Sequence, residues 1–390
     1  MKYSRRAIVL QRTASFDWFG VVRTGIALRV AALRTLGWNT RVVDPSALGG
    51  DAGFAGADLV LADNGIAAAP DAFAAACRNL APGRLVMRIN NPAYFAHSRL
   101  AMAVARRADP RALLGFIDMD GPDYAAGALG SPARTCAALP LLVPPRDPPV
   151  PWRQRTEAVT YVTGYPIFVP ERDDWRIRMP QHAATADALA ERMEACPDTP
   201  LWRHAAAVFR QRGGALVPWT GDGAVLMECV GRFVIARAKR RLLAFLARFP
   251  CRFVTPGWPA GLDRHPGATV DGPMPFPDLV EAAGRSRAVV SHAPNLMGGG
   301  LSERILNALA RGSVGVAGRT RATAGLFREG TDLLTFTADT DTLGAHLERV
   351  FTGDPDLESV AETGRRSVER FAPVPMMSAL LDAAFAAPEA

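Results

Sequence analysis

Residues Val289–Gly312 read VVSHAPNLMGGGLSERILNALARG, and this stretch decides the fold. An apolar run, Ala288-Val289-Val290, gives way to a loop with Gly298, Gly299 and Gly300 in succession. The loop opens onto Leu301-Ser302-Glu303-Arg304 and a helical pattern that stops at Gly312. A strand, a glycine turn and a helix start together favour a phosphate, because unpaired backbone N–H groups and the helix dipole both attract an anion. Glycine lets such a ligand approach the backbone. Glu303, in the first turn, is placed to accept hydrogen bonds from ribose hydroxyls. A plain surface turn capped by Ser302 is the simpler reading of the glycines alone.

The residues that follow weigh against the simpler reading. Val314-Gly315-Val316-Ala317-Gly318 reads as a short buried strand, and Ala324-Gly325-Leu326-Phe327-Arg328-Glu329-Gly330 comes after it. Leu333-Leu334-Thr335-Phe336, a helix over Leu343 to Phe351, and Ala361-Glu362-Thr363-Gly364-Arg365-Arg366-Ser367-Val368 complete the order. From about Arg240 to Phe371 this order and spacing resembles the group 1 glycosyltransferases. It looks closest to the branch that includes bacterial spore-maturation proteins. The resemblance implies a GT-B fold, an α/β pair of Rossmann-like doubly wound domains facing across a cleft, with a nucleotide-sugar as ligand. It places the donor on Gly164, Asn295, Gly298, Gly299, Gly300, Ser302, Glu303, Arg304 and Asn307. Two positions depart from the family pattern. The carboxylate that commonly holds the ribose falls at Asn307, and an earlier acidic position falls at Gly299. Asn donates and accepts but carries no charge; Glu303, one turn earlier on the same face, is the substitute.

Composition bounds the rest. A chain of 390 residues is too long for one ordinary core, so two domains are expected. With 49% hydrophobic residues it can bury large cores. The net charge of +7 rests almost wholly on arginine, since Lys2 and Lys239 are the only lysines. No long basic run, zinc spacing or RNA-binding signature accompanies it, so phosphates or an anionic membrane surface account for the charge better than nucleic acid. Cys77, Cys136, Cys196, Cys229 and Cys251 are scattered and odd in number, which implies reduced thiols and a cytoplasmic protein. The N-terminus reads as a first strand rather than a signal peptide, and no apolar run is long enough for a membrane span.

Strand and helix signals alternate from the start. Strands are expected at Ala7–Leu10, Thr40–Val43, Asp58–Leu61, Leu85–Ile89, Leu113–Ile117 and Leu139–Val143. Helices are expected at Val21–Leu36, capped by Gly37, at Asp71–Leu80 and at His97–Ala108. The run from Thr24-Gly25 to Leu36-Gly37-Trp38 also resembles the opening unit of glycosyltransferase N-terminal domains. A first domain over residues 1–150 thus ends in the proline-dense linker Pro140–Pro151. A second spans 151–375, with a helical insertion at about 183–249, and the helix from Met376 crosses back to the first domain. Asp271-Gly272-Pro273 reads as a loop.

Other motifs are weaker. Asp118-Met119-Asp120 is formally a D-x-D, but Gly121-Pro122-Asp123 behind it favours turn chemistry over a metal site. Histidines without ligand spacing argue against zinc. Asp17, in the loop after the first strand, and His97, after the fourth, are the candidate general bases, since doubly wound folds place ligands at the carboxyl ends of strands. Val230–Phe249 mixes apolar residues with arginines, and reads either as an interfacial helix on anionic lipid or as a core helix with solvated arginines. The expected activity is metal-independent transfer from a nucleotide-sugar, a co-substrate rather than a bound cofactor, to an unidentified acceptor. The alternative is an inactive nucleotide-sugar-binding or scaffolding relative of the same fold.

Overall fold

The computed structural model describes residues 5–10, 20–44, 54–63, 70–90, 93–130, 132–137, 142–145, 147–163, 173–197, 199–292, 299–337 and 340–386. The first sheet is built from β1 (Arg6–Leu10), β2 (Asn39–Val43), β3 (Leu59–Asp63), β4 (Leu85–Ile89), β5 (Leu113–Phe116) and β6 (Arg134–Ala137). Their spatial order is β2-β1-β3-β4-β5-β6, and each pairing is parallel. The connecting helices are α1 (Val21–Thr35), α2 (Pro70–Ala76), α3 (Ala96–Ala108) and α4 (Gly121–Leu129). Parallel strands buried on both faces need continuous apolar runs, and β3 and β5 are buried throughout.

The second sheet starts at β7 (Glu157–Val162). Four helices follow, α5 (Asp173–Arg178), α6 (Ala183–Ala195), α7 (Leu201–Gln211) and the long α8 (Gly221–Leu246). The chain then forms β8 (Arg252–Val254), β9 (Thr269–Asp271), α9 (Phe276–Gly284), β10 (Ser286–Ser291) and α10 (Glu303–Ala310). It ends with β11 (Val314–Gly318), α11 (Arg321–Leu326), β12 (Leu334–Phe336), α12 (Thr340–Thr352), α13 (Asp356–Ser367) and α14 (Pro373–Phe385). The strand order is β12-β11-β10-β7-β8-β9, again parallel throughout.

Three expectations are corrected. The sixth strand is Arg134–Ala137; of the expected Leu139–Val143, the described Leu142 and Val143 lie outside any strand. Prolines 140, 144 and 145 lack the N–H a ladder needs, and Val143 instead donates its N–H to the Asn307 side chain at 2.8 Å. Gly121-Pro122-Asp123 opens helix α4 rather than continuing a loop; proline is well suited to a first helical turn, where its missing N–H costs nothing. Asp271 ends strand β9.

Helix α8 joins the two cores. Its first half, through Val230, Phe233 and Val234, packs with α6, α7 and the first sheet, whereas Leu242, Leu243 and Leu246 pack with Tyr161 and Phe253 of the second. The apolar side of Val230–Phe249 is therefore filled by protein, the core-helix reading of that segment. Helix α14 lies against the first sheet's helix α1 through Met377, Leu380 and Ala384. Arg134 reaches from β6 to donate to the carbonyls of Ala383 and Ala384 at 2.9 and 3.1 Å. No helix among the described residues is long and apolar enough to cross a membrane.

Candidate functional site

The carboxyl ends of the two sheets meet. Beyond β5, the Met119 N–H donates to the Gly299 carbonyl at 3.1 Å, and Asp118 and Gly300 form an antiparallel bridge. The Asp118-Met119-Asp120 motif is thus the first sheet's contact with the glycine loop. Asp118 Oδ1 accepts from the Asp120 N–H at 3.1 Å, the turn chemistry expected of it, and the Asp120 carboxylate pairs with Arg321 at the start of α11. That helix start is itself fixed by a reciprocal Thr320–Thr323 cap, and Thr320 also donates to the Gly300 carbonyl at 3.4 Å. Gly299 has no room for a side chain. A Cβ there would stand 2.8 Å from Asp118 Oδ1 and 3.0 Å from the Asp120 nitrogen. The first sheet's Asp118 carboxyl thus stands where a side chain at position 299 would go.

Burial pushes the Asp118 carboxyl up to about 7, with the Arg321 charge and the Gly299 backbone acting the other way. The sign of the linkage follows. A carboxyl raised above its unfolded value of 3.8 is protonated in both states at low pH, and is held ionised in a buried place only in the folded state at high pH. Stability therefore falls as pH rises from about 4 to about 7. Melting temperatures of Asp118→Asn and the parent, followed over this window, should diverge in the variant's favour towards neutral pH; parallel curves would show that Asp118 is not the titrating group.

On the donor side, Ser302 caps α10. Its hydroxyl accepts from the Arg304 N–H at 3.3 Å and bonds the Ser291 hydroxyl at the end of β10 at 2.9 Å. Strand end and helix start are so held together beside Gly299, Gly300 and the half-buried Glu303 and Arg304. Asn307 is almost wholly buried. Its Oδ1 accepts from Val143 of the linker and its Nδ2 donates to the Glu303 carbonyl at 2.7 Å, so its amide ties linker to helix. Gly164, Asn295, Gly298 and Asp17 lie outside the described residues. His97 starts α3, in edge contact with Phe95 at 5.7 Å between ring centroids. Its pKa is lowered by burial, with Glu228 of α8 raising it and Arg232 of α8 lowering it.

The structure adds charged residues that sequence reasoning missed. Arg88, near the end of β4, is lowered to about 9 by burial and by Arg29, against the opposing pull of Asp63 and of Glu303 from the second sheet. Lys239 of α8 is lowered to about 7 by burial and by Arg304, with Glu303 opposing. His292, just after β10, is held down at about 4 by burial and by Lys239, so its ring is neutral at pH 7. Glu303 is thus the hub of a group in which the cations Arg29, Arg88, Lys239 and Arg304 face the carboxylates Asp63 and Glu303. Burial and neighbouring cations lower both Arg88 and Lys239, an excess of positive charge that an anionic ligand such as a diphosphate would relieve. The overlooked signal was position: Asp63, Arg88 and His292 stand at carboxyl ends of strands, and Lys239 is one of only two lysines in the chain.

Residues 232–373, spanning α8 to α14, match the family "Glycosyl transferase-like". The whole chain shares its fold with solved glycosyltransferases. The fold is that of the GT-B glycosyltransferases. Anabaena HepE, solved with UDP and glucose, is 14% identical, with 97% of this chain and 98% of that chain covered and a TM-score of 0.50. An alpha-glucosyltransferase solved with UDP is 9% identical, with 98% and 100% covered and a TM-score of 0.57. T4 phage BGT, solved with its UDP-glucose substrate, is 8% identical, with 98% and 100% covered and a TM-score of 0.51. At these identities the likeness is one of GT-B fold. No curated protein matches the sequence.

Proposed function

We propose that this glycosyltransferase moves a sugar from a nucleoside-diphosphate donor, held against the glycine loop and α10, to an acceptor bound on the first sheet's side of the cleft. The observation that carries the reading is the charge surplus around Glu303, at a junction where the loops beyond β5 and β10 touch. Lys239 and Arg304 offset the diphosphate, the backbone of Gly299 and Gly300 leaves it room, and Glu303 accepts from the ribose. A dianion entering beside Lys239 restores that amine's proton. The order of motifs around Ser302-Glu303-Arg304 and Gly364-Arg365 supports the spore-maturation-type branch. UDP is the first donor base to try, since UDP or UDP-glucose occupies each of the three enzymes named above.

Transfer proceeds without a metal or bound cofactor in this proposal. Asp118 and Asp120, the D-x-D pair, are committed to a turn and to Arg321, and no cluster of three or more acid, histidine or cysteine ligands occurs among the described residues. Peripheral membrane contact, if part of the acceptor's delivery, uses a surface other than the packed face of α8.

A thermal-shift panel of nucleoside diphosphates tests the donor site, because a ligand that binds only the folded state raises its apparent stability. At least one diphosphate should stabilise the protein, equally well in excess EDTA. Glu303→Ala should weaken that ligand by about ten- to a hundredfold, the effect of one lost charged hydrogen bond. No stabilisation by any diphosphate would refute the donor site; EDTA-sensitive binding restored by magnesium would refute metal independence.

A further inference from the structure

We infer that helix α8 braces the cleft at a fixed width, so that donor and acceptor meet without rotation of one sheet against the other. The inference rests on the glycosyl-transfer reading only in taking the cleft as the place where the two substrates meet. Alternate residues of a strand face opposite sides of its sheet, and this separates the attachments of each sheet. In the second sheet, Ala288 and Val290 of β10 belong to the core that holds Leu243 and Leu246 of α8, whereas Val289 packs with Ala308 of α10. The linker is fastened on that α10 side, where Val143 donates to Asn307 at 2.8 Å and accepts from Arg311 at 3.0 Å. In the first sheet, Val60 and Ala62 of β3 belong to the core that holds Val230 and Phe233 of α8, whereas Leu59 and Leu61 share a core with Met377 and Leu380 of α14. Each sheet is thus held on one face by α8 and on the other by a second connection, the linker or α14.

A hinge opens when a few residues absorb the rotation. Rotation about the linker and α14 would part the opposite faces of the two sheets, and α8 lies across that gap. This helix runs for 26 residues without a proline, a length of about 40 Å, and a helix kinks sharply only where its hydrogen-bond ladder is interrupted. Its ends are sunk in separate cores: Met227, Val230 and Phe233 in one and Leu243 and Leu246 in the other are at most 3% exposed. Parting the faces would therefore draw one end out of its core or break the helix between them. The first end is also fastened through Glu228, which accepts the Ala96 N–H at the start of α3 at 2.9 Å. Between the cores, residues 235–241 are half-buried or exposed, and Arg237 and Arg241 pair there with Glu194 of α6 at 3.1 and 3.5 Å. Lys239 lies in this crossing segment, so the brace also fixes it relative to Glu303 and Arg304, which act on it.

Small-angle X-ray scattering on the full chain tests the brace. The free protein should scatter as a single conformer with the radius of gyration of this structure. Saturation with UDP, confirmed by calorimetry, should leave the curve unchanged. A free protein wider than the structure, or a contraction on adding UDP, would overturn the inference. Ala236→Gly combined with Ala238→Gly puts two glycines into the crossing segment, where each weakens the helix. That variant, when free, should be wider than the parent. A folded variant with the parent's curve would overturn the assignment of the brace to α8; if the variant does not fold, the parent's curves with and without UDP decide. Should UDP fail to bind, the donor reading falls, and the curve of the free protein decides the brace by itself.

Discussion

Replacing Arg155 by Met should lower the unfolding free energy by at least about 3 kcal/mol, read as an earlier midpoint in chemical denaturation. Arg155 is 4% exposed and follows the proline-dense linker. Its Nε and Nη2 donate to the Val150 carbonyl at 3.1 and 2.9 Å; its Nη1 donates to the Ser286 carbonyl at 2.9 Å and to Ser313 Oγ at 2.6 Å; and its Nη2 donates to the Arg311 carbonyl at 2.5 Å. One side chain thus pins the linker to the start of β10 and to the turn between α10 and β11. Methionine fills the volume but leaves several buried carbonyls without donors, and each such group costs about 1–3 kcal/mol. Burial lowers the guanidinium to about 10, so it stays charged at neutral pH beside those carbonyls. Arg155→Lys should recover little, because an ammonium cannot span the fork. A midpoint unchanged by either substitution would mean that the linker is held by other contacts.

The second large effect concerns the general base. If transfer inverts the anomeric centre, Asp17→Asn should reduce turnover by about 10²–10⁴ while leaving nucleoside-diphosphate affinity nearly unchanged. His97→Gln should have a much smaller effect. His97 is acted on by the Glu228–Arg232 pair of α8. Asp17 keeps its place as the candidate on sequence grounds, as the carboxylate in the loop that follows β1. Near-normal turnover in both variants would place the base elsewhere, or show a retaining reaction that has none. Equal loss of turnover and of nucleotide affinity in Asp17→Asn would make it a donor-binding residue instead.

Some of this was present in the sequence because the controlling forces are local. Buried parallel strands require unbroken apolar runs, so β1, β4, β10 and β11 were visible as such. Helix stops at Gly37 and Gly312 were visible because a backbone with φ of 85° or 72° favours glycine. The order of strand, glycines, Ser302 cap and helix around Val289–Gly312 was legible for the same reason: every part acts on its neighbours in the chain.

What the tertiary structure alone decided is long-range. Strand β6 lies at Arg134–Ala137, and of the more apolar Leu139–Val143 the Val143 amide and the side chains of Leu142 and Val143 are claimed by α10 and α9, more than a hundred residues away. Gly299 is glycine because Asp118, from the other sheet, fills its side-chain space. The resemblance puts Asn307 where the family commonly has a ribose-holding carboxylate, and in the fold its amide joins linker to helix. The charge group of Arg29, Asp63, Arg88, Lys239 and Glu303 draws on five separate elements, α1, β3, β4, α8 and α10. No periodicity in the chain brings them together, since Coulomb interaction depends on separation in space and is strengthened by burial that only the packed cleft provides. The sequence by itself determined the doubly wound architecture and the glycine loop; the meeting of the two sheets decided which charges surround that loop.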